Sequence, residues 1–146
     1  SLILWLPIKS LRQSIIALTG LATATVIAVH LVVMPMMMNS FDIRPLALKL
    51  GEWERQGIGL AHMNKYHGQY HFVGRLTHPM PLVGNSLNQL ENWMAKNPNG
   101  RVVTYYNPGK IPTAAKPVYV RRFRGTYAVV WDVKTILAHP GIAYRK

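Results

Sequence analysis

The sequence contains no cysteine and only five acidic residues among 146. The first absence excludes disulfides in any compartment. The second leaves few groups for acid–base catalysis. The five carboxylates fall at predicted helix starts, solvated helix faces or strand ends, and no two form a pair suited to acid and base roles: Asp42, Glu52, Glu54, Glu91 and Asp132. No serine lies in a nucleophile elbow and no glycine run forms a phosphate-binding fingerprint, so we predict no catalytic residue in this chain.

Formal charge is also absent from a long apolar run, residues 14–38. As a helix rising ~1.5 Å per residue, the stretch from Ser14 to Met34 measures roughly 31 Å, close to the ~30 Å hydrocarbon core of a bilayer. A core helix of a soluble domain would show one polar face, whereas the few polar residues here are mild and scattered. A signal peptide would be shorter and end in small residues, whereas this run ends in Met-Pro-Met-Met-Met. We predict a transmembrane helix over 14–38.

The residues before this run indicate a second membrane segment. Residues 1–8 are apolar and are followed by the basic residues Lys9 and Arg12. We interpret residues 1–13 as the end of a preceding membrane helix and a cytoplasmic loop of a polytopic protein. The alternative is a membrane-anchored protein whose first residues lie in the interface, with Trp5 as an aromatic anchor. The positive-inside rule then places residues 39–146 outside the cytoplasm.

Positive charge dominates the part after the run. Two of the seventeen basic residues precede it and all five acidic residues follow it, which leaves a net charge of +10 on residues 39–146. Such a domain beside a membrane is attracted to phosphate-bearing lipid head groups. Nucleic acid is the rival partner, but the basic residues are spread out, and the only cluster is Arg121-Arg122-Phe-Arg124. We therefore predict membrane lipid, and no nucleic acid, as a partner.

Hydrophobic periodicity predicts one small α/β domain over residues 39–146, with a mixed sheet and a C-terminal β-hairpin. Ser86 and Gln89 have the spacing of a capping box, and Arg124-Gly125 is typical of a tight hairpin turn. The segment from Asn64 to Leu76 is ambiguous between strand and helix. The other predicted elements are a helix over 42–55, strands over 58–63 and 80–83, a helix from 86 to the Asn97–Gly100 turn, and strands over 101–106, 116–123 and 126–133.

Four histidines lie close together in the chain, at positions 62, 67, 71 and 78. His67 and His71 have the i, i+4 spacing that puts both on one face of a helix, where two imidazoles could bind zinc. No cysteine or acidic residue between Gln56 and Gln89 completes such a site. We therefore predict that these histidines hydrogen-bond locally or face the membrane-proximal surface, and we predict neither a metal nor a cofactor.

One stretch, residues 65–77, resembles a known family; we call it the motif. It reads Lys65-Tyr-His-Gly-Gln-Tyr-His-Phe-Val-Gly-Arg-Leu-Thr, and a helix and the strand Ile58-Gly-Leu-Ala-His-Met precede it. It resembles the C-terminal periplasmic domain of bacterial membrane glycosyltransferases of the aminoarabinose-transferase and protein-mannosyltransferase-like group. The resemblance covers most of residues 14–133. It implies a polytopic enzyme that uses a polyprenyl-phosphate-linked sugar donor, acts outside the cytoplasm and ends in a soluble α/β tail.

In that group the acidic catalytic residues lie in an early periplasmic loop, which this chain does not contain. The resemblance therefore implies a non-catalytic C-terminal segment in the bacterial inner membrane, with residues 39–146 in the periplasm. It implies binding roles for Lys65, Tyr66, His67, Gln69 and Arg75, either in docking the tail on the membrane domain or in framing the acceptor site. Alternatively, the motif only shapes a turn and a helix under the sheet. The alternative function is a single-span membrane-anchored module that binds anionic lipid or an envelope partner.

Overall fold

Residues 10–63 and 66–142 are described by a computed structural model, so the predictions for residues 1–9 and for Lys65 lie outside the described residues. The chain divides between Asn39 and Ser40 into two units, each with its own internal contacts. The first unit is helical, and the second contains the sheet.

Helix α1 spans Leu11–Ala28 and is continued by a π-helical turn, Val29–Val33, and by α2, Met34–Phe41. It begins before the predicted start of the apolar run because the Ser10 hydroxyl caps it, accepting a hydrogen bond from the Gln13 amide at 3.3 Å. The π-helical turn precedes Pro35, which has no amide hydrogen to donate to the preceding turn. Among the described residues, Leu11–Val33 is the one helix long and apolar enough to cross a membrane.

Two threonine hydroxyls of α1 are hydrogen-bonded within the helix. The hydroxyls of Thr19 and Thr25 donate to the carbonyls of Ile15 and Leu21, each at 2.9 Å. No side chain of α1 is buried against protein. Both properties suit a helix in hydrocarbon, where a polar group has no water to bind.

The second unit contains a four-stranded mixed sheet in the order β1-β2-β4-β3. Strand β1, Leu60–His62, runs parallel to β2, Arg101–Tyr106. Strand β4, Thr126–Asp132, pairs antiparallel with β2 and with β3, Tyr119–Phe123. This confirms the predicted fold class, including the parallel strands first and the hairpin at the end.

Helices cover both faces of the sheet. Helices α3, Arg44–Arg55, and α4, His71–Gly74, pack on one face around Leu50, Tyr70 and Val103. Helices α5, Leu87–Lys96, and α6, Val133–Ala138, pack on the other face around Leu90, Val129 and Trp131, followed by a 3-10 turn at Pro140–Ile142. Each helix therefore packs one apolar stripe against the sheet, and the second unit has three layers, with helices on either side of the sheet.

One local prediction needs correction, and one ambiguity is resolved. The strand expected over 80–83 is reduced to a single parallel bridge between Leu82 and His62, because prolines on either side of Met80 remove the amides that a longer ladder needs. In the segment whose sequence is ambiguous between strand and helix, a helix begins only at His71 and lasts one turn. His67 lies before this helix, so His67 and His71 do not share a helix face.

Candidate functional site

The motif lies where the chain leaves the carboxyl end of β1. This connection carries α4, which packs on the α3 face of the sheet, whereas the connection after Val83 carries α5 on the opposite face. Leu82 forms a parallel bridge with β1, so β1 and the segment around Leu82 are neighbours. The chain leaving β1 and the chain leaving Leu82 continue on opposite faces of the sheet. In α/β sheets, ligands bind outside the carboxyl ends of strands at such a switch point.

The inner half of the motif is built around Tyr66. Its ring stacks on His62 and Tyr70, with ring centres 5.4 and 5.5 Å away. Its hydroxyl hydrogen-bonds with Nδ1 of His71, while Nε2 of His71 donates to the His78 carbonyl at 3.1 Å. Because a carbonyl only accepts, Nε2 of His71 is the donor in this bond. Burial raises the pKa of Tyr66 to about 12, so Tyr66 is a neutral packing and hydrogen-bonding group.

Gln69 closes the same cluster from the other side. Its side-chain oxygen accepts from the His67 amide at 2.9 Å, and its nitrogen donates to the Tyr105 hydroxyl at 3.2 Å. The hydroxyls of Tyr70 and Tyr105 are hydrogen-bonded to each other, and burial raises the pKa of Tyr70. Gln69 therefore holds the motif on β2 rather than facing solvent.

The outer half of the motif is exposed. The His67 and Arg75 side chains face solvent, and between them Phe72 is 94% exposed. Sequence reasoning missed Phe72. The signal was present, because Tyr66, Tyr70 and Val73 have helical spacing and Phe72 is an apolar residue off that stripe.

The predicted site residues thus fall into two groups. Tyr66 and Gln69 join the buried aromatic cluster, His67 and Arg75 face outward, and Lys65 lies outside the described residues. The His67 backbone is tied to Gln69, whereas Arg75 stands apart at the C-terminal end of α4. Arg75 has φ 52 and ψ 44, the left-handed conformation that glycine usually adopts after a helix.

Two glycines fix the position of α4. A Cβ on Gly74 would clash with the carbonyl oxygen of Ala47, and a Cβ on Gly51 would clash with the carbonyl oxygen of Gly74. The backbones of α3 and α4 therefore touch directly. This contact sets the orientation of Phe72 and Arg75 on the surface.

A carboxylate anchors the chain after the motif. The two oxygens of Glu54 accept hydrogen bonds from the amides of Thr77 and His78, each at 2.9 Å, and His78 Nδ1 lies 3.2 Å from the same group. Burial alone would raise the pKa of Glu54, but these hydrogen bonds outweigh it and lower the pKa. Glu54 is therefore a fixed anion that positions a loop.

Glu54 also borders a cavity of about 270 Å³. The cavity has an open, mixed lining: Glu54, Gly57, Ile58, Gly59, Leu60, His78, Pro79, Met80 and Asn97. Sequence reasoning did not separate Glu54 from the other carboxylates, since its partners lie 23 and 24 residues further along the chain. Within residues 10–63 and 66–142, no group of three or more histidine and acidic side chains is placed to hold a metal ion.

Comparison with models of protein families, with curated proteins and with solved structures finds no significant match to this chain. The family resemblance of the motif accordingly stays a prediction.

Proposed function

We propose that this chain is the C-terminal, non-catalytic segment of a polytopic bacterial membrane glycosyltransferase that uses a polyprenyl-phosphate-linked sugar as donor. In this proposal the helix Leu11–Val33 crosses the inner membrane, and residues 39–146 lie in the periplasm. Three observations support it: the apolar helix, the net charge of +10 on the part that follows, and a motif at a switch point of the sheet.

The backbone conformation of Arg75 is the observation that most supports the proposal. An L-amino acid in the left-handed region costs roughly 1 kcal/mol relative to glycine, and this position follows a helix, where glycine is usual. The chain nevertheless has an arginine there, with its guanidinium exposed. A guanidinium can bind a phosphate through two parallel hydrogen bonds. We assign Arg75 to the phosphate of the lipid-linked sugar, with His67 as a second exposed polar residue of the motif.

The carboxylates support a non-catalytic role. Asp42 accepts from the Arg44 amide at 2.9 Å, Asp132 caps α6 by accepting from the Thr135 amide at 2.6 Å, and Glu52 pairs with Lys49 at 2.8 Å. Together with Glu54, four of the five acidic residues in the sequence serve local structure. In the proposed enzyme, the acidic catalytic residues come from an earlier periplasmic loop.

The first test is the complete coding sequence. The proposal expects further apolar helices encoded before residue 1, with an acidic periplasmic loop among them. A coding sequence that begins at residue 1 without such helices would contradict the proposal. It would favour the single-span anchored binding module, which the exposed Phe72 and the net positive charge also suit.

The second test is sugar transfer by the full-length protein with changes at Arg75. We expect Arg75→Ala and Arg75→Gly to lower transfer by about tenfold or more, because both remove the guanidinium, and Arg75→Lys to restore it only in part. The matched control is Arg124→Gly, since Arg124 is also exposed and left-handed, with φ 48, but lies in the hairpin turn. Full activity per folded molecule in Arg75→Gly would show that the motif only shapes the fold.

A further inference from the structure

Phe72 has an unusual environment for a large apolar side chain. At 94% exposure it has almost no protein contact, and the next most exposed large apolar residue of the second unit, Leu137, reaches 64%. Scattered surface apolar residues are common, but a nearly bare phenyl ring leaves close to its full apolar area in water. A partner that covers this ring would remove most of that apolar area from water.

The ring is held on a rigid support. Gly74, two residues on, touches the Ala47 backbone, and the Gly74 amide donates to the Tyr70 carbonyl at 2.8 Å. The neighbouring His71 ring is held by a hydrogen bond at each of its nitrogens, with the Tyr66 hydroxyl at Nδ1 and with the His78 carbonyl at Nε2. The backbone on each side of Phe72 is thus preorganised, so covering the ring costs little ordering entropy.

The chain segment around Phe72 contains a cation and no acidic residue. No acidic residue occurs between Gln56 and Gln89, and the exposed residues His67 and Arg75 precede and follow Phe72 in the chain. Glu54, which binds the amides of Thr77 and His78 just after this segment, is only 15% exposed. Leu48 on α3, the helix that α4 contacts, is also exposed, at 58%. An exposed aromatic ring with an arginine three residues further along the chain suits the interface of an anionic bilayer, where the ring lies among the upper acyl chains and the guanidinium meets phosphates.

We propose that Phe72 is a membrane anchor, which inserts into the interface of an anionic bilayer and holds the outer face of the motif against lipid head groups. The inference rests on the proposed crossing of the membrane by Leu11–Val33. A domain of about 100 residues has a radius of gyration of roughly 13 Å. In the proposed arrangement, the ten residues from 34 to 43 tether this domain to the membrane helix, so even a weak anchor acts at a high effective concentration.

The absence of cysteine makes a direct test possible, because single cysteines can carry an environment-sensitive fluorophore. The whole chain is reconstituted in nanodiscs of phosphatidylcholine, with or without phosphatidylglycerol, that contain shallow or deep nitroxide-labelled lipid. Three labelled variants are compared: His67→Cys beside Phe72, Leu137→Cys on α6 at the other face of the sheet, and Ala24→Cys inside α1. Phe72→Ala and the matched control Leu137→Ala are then made in the His67→Cys background.

We expect shallow nitroxides to quench the His67 probe in phosphatidylglycerol nanodiscs and to leave the Leu137 probe unchanged. Phe72→Ala should shift the docking equilibrium of the His67 probe by about tenfold, because it removes the apolar area that inserts, and Leu137→Ala should not. Equal quenching of the His67 and Leu137 probes would overturn the inference, and so would an absence of effect of Phe72→Ala. In either case, quenching of the Ala24 probe by the deep nitroxides would show that the helix still crosses the membrane. Spectral shifts that follow protein concentration rather than lipid would assign the ring to a second copy and also overturn it. An unquenched Ala24 probe would contradict the membrane crossing itself.

Discussion

At the scale of single residues, two arginines occupy backbone conformations that favour glycine. Arg75 has φ 52 after α4 and Arg124 has φ 48 in the hairpin turn. Both side chains are exposed, and the Arg124 guanidinium also lies 5.1 Å from the centre of the Phe123 ring. The two positions therefore allow the backbone cost to be measured apart from the function of either side chain.

We predict that Arg75→Gly stabilises the fold by roughly 1 kcal/mol, because glycine adopts the left-handed region without a steric cost. Arg75→Ala should change the free energy of unfolding by less than about 0.5 kcal/mol, since alanine keeps the same strain. Urea unfolding of each variant measures both values, and Arg124→Gly should show a smaller gain, because it also removes the contact of the guanidinium with the Phe123 ring. Destabilisation by Arg75→Gly would mean that the arginine side chain makes a stabilising contact.

Glu54 provides a pH-dependent prediction. Its side chain is only 15% exposed, and its hydrogen bonds from Thr77 and His78 lower its pKa below the usual 4.5. A lowered pKa stabilises the folded state at neutral pH, and this contribution disappears as the pH falls below about 4.5. Glu54→Gln should therefore cost about 1–2 kcal/mol at pH 7, with the gap to the parent protein narrowing in acid. If the difference in unfolding free energy between Glu54→Gln and the parent protein stays constant with pH in urea titrations, Glu54 does not act as a charged anchor.

At the scale of elements, α4 depends on its contact with α3 more than on its own sequence. A four-residue helix gains little from helix propensity, and its position is set by the close approach of Gly74 to Ala47. We predict that Gly74→Ala destabilises the protein by about 1–3 kcal/mol, because the backbones must separate to admit a methyl group. Gly141→Ala is the control, since a Cβ there meets no atom within 4 Å. Thermal unfolding compares the two, and equal stability would show that α4 is not held by this contact.

Whether an element depends on local or on distant residues also explains which parts of the fold the sequence can predict. The start of α5 was predictable because Ser86 accepts from the Gln89 amide at 3.2 Å, a local signal, and the hairpin turn was predictable from Gly125, which has φ 77. The single turn of α4 and the anchoring by Glu54 were not, since both depend on residues more than 20 positions away. For the site, the family resemblance implied roles for Tyr66, Gln69, His67 and Arg75. Only tertiary packing separates the half-buried Tyr66 and Gln69 from the exposed His67 and Arg75.

At the scale of the whole molecule, the second unit contains two apolar clusters on opposite faces of one sheet. We predict that residues 40–146 alone form a soluble domain with a cooperative unfolding transition, because these clusters are built from elements of that unit. Denaturation followed by circular dichroism and tryptophan fluorescence should give coincident transitions. A gradual loss of signal would place the domain boundary elsewhere.

Selective binding of a polyprenyl phosphate tests the central claim most directly. The whole chain is placed in phosphatidylcholine nanodiscs that contain equal small fractions of polyprenyl phosphate and phosphatidylglycerol, and the lipids that remain bound are identified by native mass spectrometry. The account predicts saturable retention of polyprenyl phosphate over phosphatidylglycerol, a loss of about tenfold in Arg75→Ala and Arg75→Gly, partial recovery in Arg75→Lys and no change in Arg124→Gly. Equal retention of the two lipids, unaffected by the Arg75 variants, would contradict the account and leave a general anionic-lipid anchor in its place.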